Sequence, residues 1–526
     1  MTTQIERMYQ AALLADAAYV TYDEPGYLDG AGWEDPGVRN QIQLDALNGT
    51  SSSDDVPLGD VDGGRGWTQS QFEAFSLRYL VVYHQPDQDN GFSATLFYDT
   101  LEQKYVAAFR GTNEPYPDIA PSDLLVALGL SSFSTQEQHS AIATFFENAG
   151  LVDDSGLARP EFAGKVDFVG HSLGGYLSLW AMYEFRDLFG EVFTFNGAGI
   201  SAIPGSPDYQ YISALMQENH LSPAQLGRIH NYFAEEGPEL TANDLTFFRP
   251  GGRQGVFIER KDLVGSVGFH SVGLMVESLA VYSLFSLVDQ DVKAEAVRDM
   301  LYAMSNRSVG SLDRAVVALS DMLGEGYAFS GSDDTEDFRQ AMLVALDGAQ
   351  SLGSRIETLL ARDAGFLAAA ASEDSEAGRG YRYALSQLLP FAVTAGAGGF
   401  SQDDAALDAE HFTEGFLGDR ALFLTTLLRM NTADVPHGDL RIHAHFTDLE
   451  QGLAFNSDAI SYGGPEISDL RARLVFGSEG DDAGTLLASS QADRLYGMGG
   501  NDLLHGLDGS DYLEGGAGED QLNGGN

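Results

Sequence analysis

The sequence predicts an α/β fold, followed by a helical segment and a C-terminal parallel β-roll. A strand candidate at 166–169 leads directly into Gly170-His171-Ser172-Leu173-Gly174, and an apolar helix candidate follows at once. Apolar side chains recur every three to four residues through much of 291–435, which is typical of helices. Glycine and aspartate then recur with a nine-residue period near the C-terminus, which is typical of a roll. These observations predict domains at 1–290, 291–435 and 436–526.

Composition limits the classes of function that fit the chain. Its 526 residues, 44% of them hydrophobic, are enough for two to four domains with buried cores. Lys and Arg number 29 against 78 Asp and Glu, a net charge of −49, so the surface repels nucleic acids and anionic membranes and attracts cations. The absence of cysteine excludes disulfides and thiol chemistry.

The sequence also predicts no membrane-spanning segment. The longest apolar stretch, 272–288, contains Glu277 and several serines, and is too short and too polar to cross a bilayer. The first residues lack the basic and apolar regions of a secretory signal, so no N-terminal signal peptide is predicted.

Strand and helix patterns alternate through the first 290 residues, which favours an α/β sheet. A helix is predicted at 11–19 and a Gly/Asp/Ser-rich loop at 30–66. Helices are also predicted at 292–304, 312–323, 335–360 and 381–391. The predicted strands are 92–98, 105–109, 192–195, 229–233 and 256–258.

Ser172 lies in a Gly-x-Ser-x-Gly pentapeptide between a strand and a helix, the pattern of a nucleophile elbow. Side chains two residues on either side of the serine would collide with the neighbouring strand and helix, so glycine is needed there. The elbow predicts an α/β-hydrolase domain with Ser172 as its nucleophile.

A serine nucleophile needs a general base and an acid that orients it. In this fold they follow the serine in the order acid, then histidine. His270 lies on a Gly-rich loop between the last strand candidate and a long helix, where the base belongs. The acid is expected just past the strand at 229–233. The candidates there are Glu235, Glu236 and Asp244, and the residues favour Asp244 and Glu236 about equally.

The tetrahedral intermediate needs two oxyanion donors. One is predicted to be the backbone N–H of Leu173, the residue after the nucleophile. The other is predicted to be the N–H of Thr112, which follows the strand at 105–109 in Phe109-Arg110-Gly111-Thr112.

The C-terminal repeat predicts calcium binding. Asp502, Asp511 and Asp520 each close a Gly-x-x-Gly-x-Asp hexamer and precede a leucine by two residues. Glycine lets the backbone curl so that carbonyl oxygens face a cation, and aspartate adds a hard oxygen ligand suited to Ca²⁺. Without calcium, carboxylate repulsion favours a disordered tail. Degraded copies lie at Asp493 and at 477–482.

Two nonapeptides form one coil of such a roll, so residues eighteen apart stack. Asp502 is therefore expected to share a site with Asp520, and Asp493 with Asp511. The predicted calcium-binding residues are Asp493, Gly500, Asp502, Gly509, Asp511, Gly518 and Asp520.

Three segments together resemble a class 3 lipase domain joined to an RTX module: 107–112, 169–175 and the C-terminal nonapeptides. The resemblance covers about the first 290 and the last 50 residues. It implies an α/β-hydrolase fold, carboxylic ester hydrolysis, calcium dependence and extracellular action after type I export. The chain departs from the family at 235–238, where Glu-Glu-Gly-Pro stands in place of the usual Asp-Pro pair. The C-terminal secretion signal of such proteins is also missing from the sequence.

The expected activity is hydrolysis of lipid esters at a lipid–water interface by a triacylglycerol lipase. Alternatives are a phospholipase of A type, a polyester hydrolase, and a calcium-binding adhesin or scaffold with an inactive hydrolase domain. Residues 123–129 resemble the lid region of the family, and the apolar side chains between Leu124 and Leu130 predict a mobile lid, with a buried core helix as the alternative. A monomer is expected, and the end at Gly524-Gly525-Asn526 falls within a repeat, which favours a truncated chain.

Overall fold

The computed structural model describes most of the chain outside several segments. Thr112, Glu236, Asp244, His270 and the lid candidate at 123–130 lie outside the described residues. The described residues are 2–19, 75–86, 88, 90–111, 134–201, 213, 221–235, 247–259, 271–304, 310–323, 354–395, 405–433, 441–457 and 466–526.

By internal contacts the chain divides into two units, 1–286 with 332–348, and 287–331 with 349–526. The first unit contains helices α1 (Gln4–Ala17), α2 (Ser134–Asn148), α3 (Leu173–Glu184), α4 (Pro223–Leu226) and most of α5 (Val272–Val288). Its strands are β1 (Tyr79–Gln85), β2 (Ala94–Asp99), β3 (Lys104–Phe109), β4 (Val166–His171), β5 (Phe189–Phe195), β6 (Ile200–Ser201), β7 (Ile229–Ala234), β8 (Phe247–Phe248) and β9 (Gly252–Val256).

A seven-stranded sheet among the described residues forms the centre of this unit, in the order β1-β2-β3-β4-β5-β7-β9. The first three strands pair antiparallel, and the strands from β3 to β9 pair parallel. Strands that alternate with helices favour this parallel arrangement. The sheet confirms the predicted α/β fold.

Alternation along β4 directs its side chains to two different layers. Phe168 stacks on Phe146 of α2 and belongs to the core that α2 and α3 build over the sheet. Asp167 and Val169 line a groove with Leu14 of α1, so α1 covers the opposite face. The strand is therefore buried on both sides, which fixes the position of the turn at its carboxyl end.

The second unit contains helices α6 to α10 and ten strands among its described residues. Helices α6 and α7 match the predictions at 292–304 and 312–323. The bounds are α6 (Ala294–Ala303), α7 (Ser311–Leu323), α8 (Ala364–Ala371), α9 (Glu376–Gln387), α10 (Glu414–Asn431), β10 (Arg355–Thr358), β11 (Phe391–Ala395), β12 (Arg441–Asp448), β13 (Leu453–Ser457), β14 (Glu466–Phe476), β15 (Ala483–Leu487), β16 (Arg494–Tyr496), β17 (Leu503–His505), β18 (Tyr512–Glu514) and β19 (Gln521–Asn523), with short 3-10 helices at Ala405–Leu407 and Ala409–His411.

The prediction of a helix through 391 is wrong at its end. Leu388 adopts a left-handed conformation with φ 50°, and Pro390 follows two residues later, so the helix cannot continue. Phe391–Ala395 instead forms β11, which pairs antiparallel with β10. The apolar run 391–393 suits a strand as well as a helix, and the proline decides between them.

The C-terminal repeats form a parallel β-roll, as predicted. Strands β14, β16 and β18 stack in one sheet, and β15, β17 and β19 in another. Leu495 pairs with Leu513, and Leu504 with Leu522, so successive coils repeat every eighteen residues. Leu495 and Leu504 are fully buried between the two sheets, which gives the roll the thin apolar core expected of the repeat.

Helix α10 packs against the first coils of this roll. Asp419 accepts hydrogen bonds from Arg494 and from the Tyr496 hydroxyl. Phe416 packs edge-on against Tyr496, and the Arg420 guanidinium lies over the ring of Phe476. The entry to the roll is thus fixed by contacts that involve no metal.

Within the described ranges, no helix combines the length and apolarity that crossing a bilayer requires.

A group of charged side chains lies under α1 at the amino ends of the central strands. Asp167 is buried and accepts the backbone N–H of Glu191 at 2.8 Å, and Lys104 Nζ lies 3.3 Å from its carboxylate. Burial raises the pKa of Asp167 to about 6 despite Lys104. The attraction of Lys104 therefore offsets only part of the cost of burying the ionised Asp167 carboxylate.

This shift predicts a pH-dependent stability. An acid whose pKa is higher in the folded chain binds more protons when folded, so the free energy of unfolding falls as the pH rises from about 4 to about 6. The shift corresponds to at most about 3 kcal/mol. Urea unfolding between pH 4 and pH 7 measures this fall. It should be absent in Asp167→Asn and present in Asp154→Asn, a substitution at an exposed loop position. Equal slopes in both variants would contradict the prediction.

Candidate active site

Ser172 forms a strained turn between β4 and α3. Its backbone has φ 56° and ψ −123°, which a residue with a side chain adopts only where the surroundings impose it. The Ser172 N–H donates to the Phe195 carbonyl at 3.1 Å, and the Ser172 carbonyl accepts the N–H groups of Gly175 and Ala198, each at 3.0 Å. Hydrogen bonds on both sides of the residue hold this conformation, as the predicted elbow requires.

Close backbone approach explains the glycines of the elbow. A Cβ at Gly170 would overlap the Gly174 carbonyl, and a Cβ at Gly174 would overlap the Phe109 carbonyl of β3. A Cβ at Gly175 would lie 2.6 Å from Gly197 Cα. Backbone atoms cannot move aside as a flexible side chain can, so the strand and helix meet at this distance only when these positions carry no side chain.

The end of β3 lies beside the serine. A Cβ at Gly111 would be 3.2 Å from Ser172 Cβ and 2.8 Å from the His171 carbonyl oxygen. Thr112 is the next residue along the chain, outside the described residues. Gly111 is thus the described residue of this segment that lies beside Ser172.

Leu173 is the first residue of α3 and is buried. N–H groups in the first turn of a helix have no partner within that helix, and the positive end of the helix dipole favours negative charge there. The amide of Leu173 is therefore a suitable oxyanion donor in chemical terms.

Tyr19, which follows the end of α1, contacts residues next to Ser172. Its hydroxyl lies 2.8 Å from His171 Nδ1, and it also lies so close to Gly111 that a Cβ there would overlap it. The tyrosine thus links Gly111, after β3, with the residue before Ser172. Nothing in the sequence near Ser172 indicates this contact, because it joins positions 152 residues apart.

Helix α3 is also held by contacts with His139 of α2. The ring of His139 stacks on Trp180 with centroids 4.1 Å apart, and its Nε2 lies 3.0 Å from the Tyr176 hydroxyl. Burial lowers the pKa of His139 to about 4, so the imidazole is neutral at pH 7 and packs as an aromatic ring.

Two described segments border the acid candidates in the sequence. Glu235, at the end of β7, is exposed and lies against β9, where its carboxyl carbon would be 2.9 Å from a Cβ at Gly255. Further along, β8 pairs with β6, and Arg249 Nε donates to the Gly197 carbonyl at 3.1 Å. Because the Ala198 N–H donates to the Ser172 carbonyl, Arg249, which follows β8, lies near the segment that contacts Ser172.

The roll carries carboxylates suited to a cation. Asp502 is buried, and its Oδ2 has no hydrogen-bond partner among the described residues, as is also true of Asp511 Oδ2. Burial, with the carboxylates of Asp482 and Asp520 nearby, raises the pKa of Asp502. Each unpartnered oxygen is costly unless a cation meets it, so these residues fit calcium.

The glycine at the fourth position of each hexamer permits this arrangement. Gly500, Gly509 and Gly518 have φ of 103°, 142° and 139°. A Cβ at any of the three would overlap the backbone of the preceding coil. Only glycine can adopt such angles in contact with the coil below.

A family model described as the RTX calcium-binding nonapeptide repeat matches residues 476–513 and 487–522. These repeats bind calcium. The match confirms the module and cofactor that the nonapeptide spacing predicts. No curated protein matches the sequence of the chain.

Several solved lipases align with part of this chain. One is a triacylglycerol lipase with a serine protease triad, at 13% identity over 48% of this chain and 80% of that chain, with a TM-score of 0.26. Another is the Lip2 lipase of Yarrowia lipolytica, at 11% identity over 48% and 77% of the two chains, with a TM-score of 0.25. The extracellular lipase LipA of Serratia marcescens aligns at 13% identity over 98% of this chain and 65% of that chain, with a TM-score of 0.20. These scores are low, so Ser172 and its surroundings are the features of this chain that bear on an activity.

The close approach at the elbow predicts a severe effect of one added methyl group. Gly170→Ala should destabilise the first unit by about 2 kcal/mol or more, since the new Cβ would overlap the peptide group between Gly174 and Gly175. Gly227→Ala is the control, because a Cβ there meets only carbonyl oxygens at 3.5 Å and beyond. Urea unfolding measures the free energy of unfolding of both variants. Equal stabilities would contradict the close backbone contact between Gly170 and Gly174.

Proposed function

We propose that this protein is a serine carboxylic ester hydrolase that cleaves lipid esters, in the manner of a triacylglycerol lipase. The observation that carries the proposal is the strained backbone of Ser172 at the start of α3. Strain of this kind is concentrated at functional sites. A strand, a tight serine turn and a helix in this order place a hydroxyl group beside helix N–H groups.

In the proposed mechanism, His270 accepts the proton of Ser172 as the hydroxyl attacks the ester carbonyl. The N–H groups of Leu173 and Thr112 stabilise the oxyanion that develops on the carbonyl oxygen. Each such donor contributes about 3 kcal/mol to transition-state stabilisation. His270 then protonates the leaving alcohol, and water activated by the same histidine hydrolyses the acyl-enzyme.

Asp244 is the proposed acid, with Glu236 as the alternative. Asp244 precedes β8 by three residues, and β8 pairs with the segment that follows Ala198 beside the nucleophile. Glu236 follows Glu235, whose side chain lies against Gly255 of β9. The acid holds the histidine in the orientation and tautomer that the proton transfer requires.

Calcium is proposed to order the roll rather than to take part in the reaction. It would neutralise the stacked carboxylates of Asp502, Asp511 and Asp520. Extracellular calcium modules bind in the range of about 10⁻⁴ to 10⁻³ M, so a weak site of this type fills outside the cell. We therefore propose that the protein is exported and acts on lipid outside the cell.

Replacing the nucleophile tests the activity. Ser172→Ala should lose about 10³-fold or more of the rate on p-nitrophenyl esters of short and long chains, on triglyceride and on phosphatidylcholine. Ser155→Ala, on an exposed loop of the same unit, should keep the full rate. Absence of ester hydrolysis by the unmodified protein would contradict the proposal and favour a scaffold with an inactive hydrolase domain.

A matched pair of substitutions distinguishes the acids. Asp244→Asn should lower kcat by about 10³- to 10⁴-fold, because the amide favours the wrong tautomer of His270. Glu236→Gln should change kcat by less than about tenfold. The opposite ranking would assign the role to Glu236.

A further inference from the structure

The turns of the roll differ in the hydrogen bonds that reach the aspartate carboxylate at the end of each hexamer. At 497–502 and 506–511, the second residue is Met498 or Leu507, with φ of 74° and 64°. In those two turns the Oδ2 atoms of Asp502 and Asp511 have no hydrogen-bond partner among the described residues. We name these two, together with 515–520, the open turns.

The two preceding turns, 477–482 and 488–493, carry serine at the same position. The Ser478 N–H and hydroxyl both donate to Asp482, and the Ser489 N–H and hydroxyl both donate to Asp493 Oδ2. Neither serine has a positive φ, so each amide points at the carboxylate. We name these two the closed turns.

The other oxygen follows one rule in Asp493, Asp502 and Asp511, whereas Oδ1 of Asp482 accepts the Ser478 hydroxyl. Oδ1 accepts a backbone N–H from the coil before it, which Arg473 supplies to Asp493, Asp482 to Asp502, and Asp493 to Asp511. Among these three aspartates, only Oδ2 therefore distinguishes the turns. In the closed turns serine satisfies it, whereas in the open turns of Asp502 and Asp511 it is left for a cation.

We infer that the roll consists of a metal-independent first coil, closed by Ser478 and Ser489, on which calcium-dependent coils assemble from residue 497 onward. Asp493 then has a structural role, in place of the calcium ligand that its position in the repeat predicts. The first coil is also held by Asp419 of α10 through Arg494 and Tyr496. Without calcium it remains folded and offers β15 and β16 as templates for the next strands.

Hydrogen exchange of the full chain, with calcium and with chelator, tests this inference. In chelator, peptides covering 474–496 should stay protected, while peptides covering 503–523 should exchange rapidly; calcium should protect only the second group. Loss of protection in both groups together, or calcium-dependent protection of 474–496, would overturn the inference.

Variants of the serines sharpen the test. The double variant Ser478→Ala with Ser489→Ala should speed exchange of 474–496 in chelator by about tenfold or more, because each closed turn loses a hydrogen bond to a carboxylate. Ser510→Ala, in an open turn, should leave that exchange unchanged. An unchanged rate in the double variant would show that serine does not close these turns.

Calcium titration by calorimetry provides a readout independent of stability. Asp502→Asn should reduce the amount of calcium bound per chain, whereas Asp493→Asn should leave it unchanged. Ser489→Gly, which restores the glycine of the repeat and frees Asp493 Oδ2, should increase it. An equal loss of bound calcium in the two aspartate variants would assign Asp493 to a calcium site and contradict the inference.

Discussion

The first unit depends on one constrained residue, the serine that turns the chain from β4 into α3. A positive φ at Ser172 costs of order 1–3 kcal/mol, and it persists because hydrogen bonds from β5 and the following loop hold the turn. The glycines of the elbow allow β3, β4 and α3 to meet at backbone contact. Burial of β4 on both faces fixes the strand that carries the turn, so the central sheet maintains the strain that positions the hydroxyl.

The second unit meets a different constraint, the repulsion of its own carboxylates. With a net charge of −49 over the chain, a roll that stacks aspartates every eighteen residues opposes its own folding. The opposing contributions come from the thin leucine core, from α10 and from the cation. Oδ2 of Asp502 and of Asp511 accepts no hydrogen bond within the described ranges, so the cation is the group that would satisfy these two oxygens.

Local patterns carried most of what could be predicted from the sequence. The elbow was recognisable because its glycines, serine and flanking apolar runs are contiguous, and the roll because its period is fixed. The contact of Tyr19 with His171 was not predictable, because it depends on how α1 packs under the sheet. The predicted end of α9 at 391 is wrong because the apolar run that begins at Phe391 fits both periods. The helix ends instead at the left-handed Leu388, and leucine is not a residue type that signals such a conformation.

The most direct test of the account is covalent labelling with a fluorophosphonate, which reacts with activated serine hydroxyls. Peptide mapping by mass spectrometry should find one adduct, on Ser172, and pre-incubation with a lipid ester should slow its formation. Failure of Ser172 to react in folded, calcium-loaded protein, or an adduct at another serine, would contradict the assignment of the nucleophile.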